Sequence, residues 1–236
     1  PDVAFWAYRA TAAFKGQPPT DKLRAIANLF PEHVHVVART DAQITKLADL
    51  KGKRIAIGLP ASGAITGARI VLKAAGLEEK RNFKPLFLNI ADSVAALRED
   101  RADAMITVAG YPSPAISELA ANVATTFLPV AGPLRDKIRD SNPFYLAGVI
   151  PAGAYKGTVE DVPTLAVGAL WVTSASFSAT LIYEITKALW NPSNRKLLDS
   201  GHEKGKSVIL ANAIEGLPIP LHPGAERYYR EAGLLK

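Results

Sequence analysis

The chain contains no cysteine. That excludes disulfides, thiolate–zinc centres and cysteine nucleophiles, and it suits an oxidising compartment. No apolar run approaches the ~20 residues that cross a bilayer, so no membrane helix is expected. Histidine is scarce, with four residues in all, and none makes a metal motif. His33 and His35 share one strand face, but no carboxylate pair accompanies them at ligand spacing. His202-Glu203 is followed by Lys206 where a metalloprotease helix needs its second histidine, and His222 stands before Pro223 in the tail. Neither a Gly-x-Ser-x-Gly elbow nor a Gly-x-Gly-x-x-Gly fingerprint occurs. Gly58 and Gly63 have P-loop spacing, but Ala64 and Ile65 stand where Lys and Ser/Thr are required. With no repeat and no low-complexity tract either, the sequence predicts neither an enzyme nor a resident cofactor or metal.

What is present is an ordinary globular composition: 236 residues, 48% hydrophobic and 21% charged. This is enough for one sizeable core or two smaller ones. The net charge of +6 describes a soluble surface or one that draws anionic solutes toward a cleft. Nucleic acid is not expected as a partner. The densest basic cluster, Lys51, Lys53 and Arg54, stops at a strand, and no helix carries a basic stripe interleaved with aromatics. The opening Pro1-Asp2-Val3-Ala4-Phe5-Trp6-Ala7-Tyr8 has large apolar residues from its first turn and reads as the interior of a domain. It leads us to expect further chain upstream.

Strand and helix patterns alternate for most of the length, which predicts an α/β fold with parallel pairing. Strands are expected at Val34–Ala38, Arg54–Gly58, Asp103–Val108, Thr126–Val130 and Thr164–Thr173, with Pro31 breaking the apolar run Leu23–Leu29. The best-defined helix has Ser62 at its N-cap, Ile65, Ala68, Leu72 and Ala75 at helical spacing, and Gly76 at its C-cap. Further helices are expected from Asp92, from Ser113 to Ala121, from about Ser178, from Pro192 and from Ala225 to Ala232. Between Gly132 and Pro163, prolines and glycines predict loops and short turns.

Two loops follow the carboxyl ends of predicted strands, where open α/β sheets bind ligands. One is Gly58-Leu59-Pro60-Ala61-Ser62-Gly63-Ala64, which leads into a helix N-terminus. There, free amides and the helix dipole favour an anion, and small residues let it approach the backbone. Its plainer role is to cap and tighten the turn. The other is Val108-Ala109-Gly110-Tyr111-Pro112, whose tyrosine either contacts a solute or packs on the next helix.

Four segments resemble the TAXI family, the extracytoplasmic solute receptors of one branch of TRAP transporters, and most of all its members described as cell-surface immunogenic proteins. They are Leu29–Ala38; Leu47–Ile57 with its Asp49-Leu50-Lys51-Gly52-Lys53 centre; Val108–Pro112; and Gly216-Leu217-Pro218-Ile219-Pro220-Leu221-His222-Pro223-Gly224-Ala225-Glu226-Arg227-Tyr228-Tyr229. The resemblance implies a two-lobed, hinged periplasmic binding protein of the type II kind. Residues 1–39 would begin lobe 1, residues 40–163 form lobe 2, and residues 164–236 return to lobe 1.

The resemblance further implies a periplasmic, monomeric receptor that binds a small carboxylate such as glutamate or 2-oxoglutarate by hinge closure and passes it to TRAP membrane subunits. The carboxylate turn of the family, Ser-Gly-Thr, corresponds to Ser62-Gly63-Ala64, where Ala64 lacks the hydroxyl. The ligand set so implied is Ser62, Gly63, Ala64, Gly110, Tyr111 and Pro112 on one lobe, with Asp2 and Tyr8 on the other. The family has a leader and a first βαβ stretch ahead of the segment matching Asp2–Ala7, so lobe 1 is expected to be incomplete here, with an exposed sheet edge. The competing expectations are the ligand-sensing effector domain of a transcription regulator, with a helix-turn-helix upstream, and a doubly-wound enzyme.

Overall fold

The computed structural model describes residues 1–60, 62–201 and 203–236, with the side chains of Ala13 and Glu203 also left aside. Ala61 of the first candidate loop and His202 of the failed metal motif lie outside the described residues. The strands are β1 (Leu23–Arg39), β2 (Arg54–Ala56), β3 (Lys84–Leu86), β4 (Ala104–Ala109), β5 (Thr125–Phe127), β6 (Leu146–Ile150) and β7 (Val162–Ser174). The helices are α1 (Asp2–Arg9), α2 (Gly63–Ala74), α3 (Ile90–Arg98), α4 (Pro114–Asn122), α5 (Gly132–Ser141), α6 (Ala179–Leu189), α7 (Arg195–Gly201) and α8 (Pro223–Glu231). The chain divides into two compact units, one made of Pro1–Pro31 with Val167–Lys236 and the other of Glu32–Ala166. The chain passes from one to the other inside β1 and again inside β7.

The strand order is β3–β2–β4–β1–β7–β6, with β5 also on β1. The sheet is mixed rather than parallel. β2 runs parallel to β3 and β4, because α2 and α3 supply the crossovers that parallel neighbours need. By contrast, β1 pairs antiparallel with β4, His33 opposite Ala109 through Ala38 opposite Ala104, and with β5. β6 and β7 are likewise antiparallel.

The core of the unit 32–166 gathers Val37, Ala56, Val94, Leu97, Met105, Ile116 and Leu119, all buried. α2 forms as its sequence predicts. Ser62 Oγ accepts from the Ile65 amide at 3.3 Å, Ile65, Ala68 and Leu72 are buried, and Gly76 adopts a positive φ just past the helix end.

In the other unit, Ile26, Ala27, Ile182, Ala213, Ala225 and Tyr229 make the core. The buried Tyr229 hydroxyl donates to Ile26 O at 2.9 Å and accepts from Trp190 Nε1 at 3.1 Å. The tail segment joins β1 through Ala25 N to Pro220 O and His222 N to Ala25 O, both 2.9 Å. His222 then caps α8, its Nδ1 accepting from the Gly224 amide at 3.2 Å.

The structure corrects three local expectations. Pro31 does not end β1, which runs through it from Leu23 to Arg39; the proline is exposed and precedes the stretch 33–38 that pairs with β4. The stretch Gly132–Pro163 is not only loops. It holds α5, started by Pro133 in its first turn and burying Ile138 alone, and β6, paired along its whole length with β7. Helix α3 starts at Ile90, capped by Asn89, rather than at Asp92.

Candidate functional site

Three chain segments leave the carboxyl ends of parallel strands on the same side of the sheet and enclose a cavity of about 240 Å³. Gly58, Leu59, Ser62 and Ala64 come from the turn after β2. Asn89, Ile90 and Ser93 come from the start of α3, and Ile106, Thr107 and Val108 from the end of β4. Gly58 makes the first turn possible. Its φ is +95°, and a β-carbon there would stand 2.8 Å from the Ile65 nitrogen, so the chain can bend into α2 only without a side chain.

The two helix N-termini that face this cavity differ. At α3, Asn89 Oδ1 accepts from the Asp92 amide and Asn89 Nδ2 donates to Asp92 Oδ2, both at 2.8 Å. A carboxylate therefore already sits in the first turn of α3, where it satisfies and screens the positive end of the dipole. The first turn of α2 holds no acidic residue. Ser62 Oγ is used on Leu59 O, to which it donates at 2.7 Å, and on Ile65 N. The amides of Gly63 and Ala64 have no partner among the described residues. An incoming anion is thus favoured at α2 and disfavoured at α3.

Of the residues expected from sequence, the structure gathers Ser62 and Ala64 on this cavity, with Gly63 between them. Tyr111 is not in its lining. Its ring meets the His33 ring edge-on, centroids 4.6 Å apart, and packs against the core beneath α4. The Tyr111–Pro112 peptide is cis, and Gly110 and Pro112 stand on either side of the tyrosine in this loop.

The loop is tied down at Ser113, whose amide donates to the Tyr155 hydroxyl at 2.9 Å. That hydroxyl also bonds His35 Nε2 at 2.9 Å, while His35 Nδ1 reaches His33 O at 2.9 Å. A carbonyl only accepts, so Nδ1 donates, and in the neutral ring Nε2 accepts from tyrosine. Burial pushes the Tyr155 phenol up to about 12, partly offset by the Ser113 amide. His35 is wholly buried in this network, with a structural task. Asp2 and Tyr8 belong to α1 in the other unit. The Asp2 carboxylate accepts from the Val3 amide at 2.7 Å, and Arg9 lies over the Tyr8 ring at 5.9 Å.

Asn89, Ser93 and Thr107 are lining residues that the sequence reading missed. The signals for them were an Asn-x-x-Asp capping pattern at 89–92 and a lone polar residue in the apolar strand 104–109. The charged cluster of this unit lies at the opposite strand ends. Arg54 pairs with Asp103 at 2.6 Å and Asp100 at 2.7 Å, and its guanidinium holds the Asp103 carboxyl below the usual range. A larger depression of about 600 Å³ beside β5 carries Glu160 and Asp161 in its wall, which opposes an anion there. Among the described residues no cluster of three or more His, Asp or Glu side chains is arranged to hold a metal, and no helix is long and apolar enough to cross a membrane.

The profile of the NMT1-like family matches residues 1–233. Solved structures similar to the chain include the periplasmic aliphatic sulphonate binding protein SsuA from Escherichia coli, at 14% identity over 89% of this chain and 59% of that one, TM-score 0.45. The alkanesulfonate-binding protein SsuA from Xanthomonas axonopodis pv. citri bound to MOPS is 17% identical, over 92% of this chain and 57% of that one, TM-score 0.40. The GluR0 ligand-binding core in complex with L-glutamate is 10% identical, over 84% of this chain and 68% of that one, TM-score 0.40. The chain thus spans 59% of the length of the first of these proteins.

Proposed function

The chain belongs to the NMT1-like family, and from that premise we propose that it is the extracytoplasmic solute receptor of a transporter, binding a small carboxylate without transforming it. The observation that carries this reading is the cavity at the carboxyl ends of β2, β3 and β4, entered by an α2 N-terminus with free amides and no acidic neighbour. Those donors are fixed before a ligand arrives, so little ordering opposes binding. No nucleophile–base pair lines the cavity, and the donor set holds a ligand rather than activates one.

The finer reading follows the resemblance of the sequence. The receptor is of the TRAP type, in its TAXI branch, works as a monomer in the periplasm, and delivers its solute to TRAP membrane subunits. The two units, Pro1–Pro31 with Val167–Lys236 and Glu32–Ala166, serve as the lobes that the resemblance divides at 1–39, 40–163 and 164–236, and Gly110, Tyr111, Pro112, Asp2 and Tyr8 are proposed as further ligand contacts.

Thermal unfolding of the full chain across a panel of carboxylates, amino acids and uncharged solutes tests the reading. A specific ligand raises the midpoint in proportion to RT ln(1 + [L]/Kd). The expected result is a saturable shift with a carboxylate that is abolished in Ser62→Pro, which would remove an amide and distort the turn, while the variant still unfolds cooperatively. A shift with an uncharged compound and with no anion would overturn the carboxylate assignment. The same titration with Tyr111→Phe, Asp2→Asn and Tyr8→Phe tests the remaining contacts.

A further inference from the structure

The wall of the cavity contains no Lys, Arg, His, Asp or Glu. Its neutral polar side chains are mostly committed elsewhere. Ser62 Oγ serves Leu59 and Ile65, the Asn89 amide serves Asp92, and Ser93 Oγ donates to Asn89 O at 2.6 Å. Thr107 is the exception. It is 8% exposed, it lines the cavity, and its hydroxyl has no hydrogen-bond partner among the described residues. The hydroxyl oxygen is open to the cavity rather than sealed, so a ligand can bond it without breaking an internal hydrogen bond. The rest of the wall is aliphatic, from Leu59, Leu88, Ile90, Ile106 and Val108.

Resting on the receptor reading above, we infer that this cavity selects a monoanionic carboxylate with a branched aliphatic body. Its head lies on the Gly63 and Ala64 amides and the Thr107 hydroxyl, and its body lies on the aliphatic wall. One carboxylate is matched by the α2 dipole and neutral donors. A second one, carried on the body, would leave water for an apolar surface with no counter-charge, at a cost no group here offsets. The aliphatic wall fits the branched body of 3-methyl-2-oxobutanoate, which carries one carboxylate where 2-oxoglutarate and glutamate, the ligands the sequence resemblance suggests, carry two.

Calorimetric titration of the full chain with 3-methyl-2-oxobutanoate, 3-methylbutanoate, 2-oxoglutarate and L-glutamate decides the matter. The expected order puts the branched monocarboxylates at least about tenfold tighter than either dicarboxylate. Thr107→Val should weaken the preferred ligand about tenfold and leave the unfolding midpoint of the free protein unchanged or raised, while Thr107→Ser retains most of the affinity. Tighter binding of 2-oxoglutarate or glutamate would overturn the inference and leave the carboxylate receptor standing. Equal affinity in Thr107→Val would remove Thr107 from the site. Binding of no carboxylate at all would remove both the inference and the reading beneath it.

Discussion

At Gly58 a single missing side chain decides whether the candidate site exists. With φ at +95° and a β-carbon 2.8 Å from the Ile65 nitrogen, Gly58→Ala must strain or shift the backbone that aims the α2 amides. We expect a stability loss of about 2 kcal/mol and a larger proportional loss of carboxylate binding, read by denaturant unfolding and by calorimetry on the same sample. Tyr155 is the second residue of this kind. Tyr155→Phe removes the acceptor of the Ser113 amide and the hydroxyl that bonds His35 Nε2, a cost of roughly 2 kcal/mol. The tyrosine also sets an alkaline limit. Its folded pKa is raised to about 12, so its contribution is fully present below the ordinary phenol value near 10 and is lost as pH rises toward 12. Unfolding titrations from pH 9 to 12 should therefore fall less steeply in Tyr155→Phe than in the wild type.

At the scale of elements, α6 and α8 meet where Gly224 faces Ala179 and Tyr183. A β-carbon on Gly224 would stand 2.1 Å from the Ala179 carbonyl oxygen and 2.7 Å from the Tyr183 nitrogen. Both are backbone atoms that cannot rotate aside. Gly224→Ala should destabilise the unit 1–31 with 167–236 by about 3 kcal/mol, visible as an early transition in thermal unfolding monitored by Trp171 and Trp190 fluorescence, and should leave the cavity residues of the other unit in place.

How far the elements could be read from sequence follows from the same physics. α2 was legible because cap, apolar stripe and terminal glycine agree. α5 was not, since it buries only Ile138 and so leaves no periodic stripe. β1 was cut short on paper by Pro31, because a proline reads as a strand breaker in sequence although an exposed position in a strand tolerates it. The turn that brings Gly58, Ser62 and Ala64 to the cavity was legible from glycines and small residues. Thr107 was not, since a lone threonine in a buried strand has the same sequence appearance whether its hydroxyl is satisfied or waiting.

Over the whole molecule, a net charge of +6 coexists with a cavity wall free of charged side chains. These two facts act on different stages of binding. The summed field attracts an anion from beyond contact distance and sets how often it arrives. Once seated, the proposed anion would be held by amides and a hydroxyl whose partial charges act at short range and are little screened by mobile ions. Raising the ionic strength from ~0.02 to ~0.3 M, which shortens the screening length several-fold, should therefore slow association several-fold and leave residence time nearly constant. Stopped-flow kinetics separates the two rates. A receptor of this build would keep its grip in brine and lose only its reach.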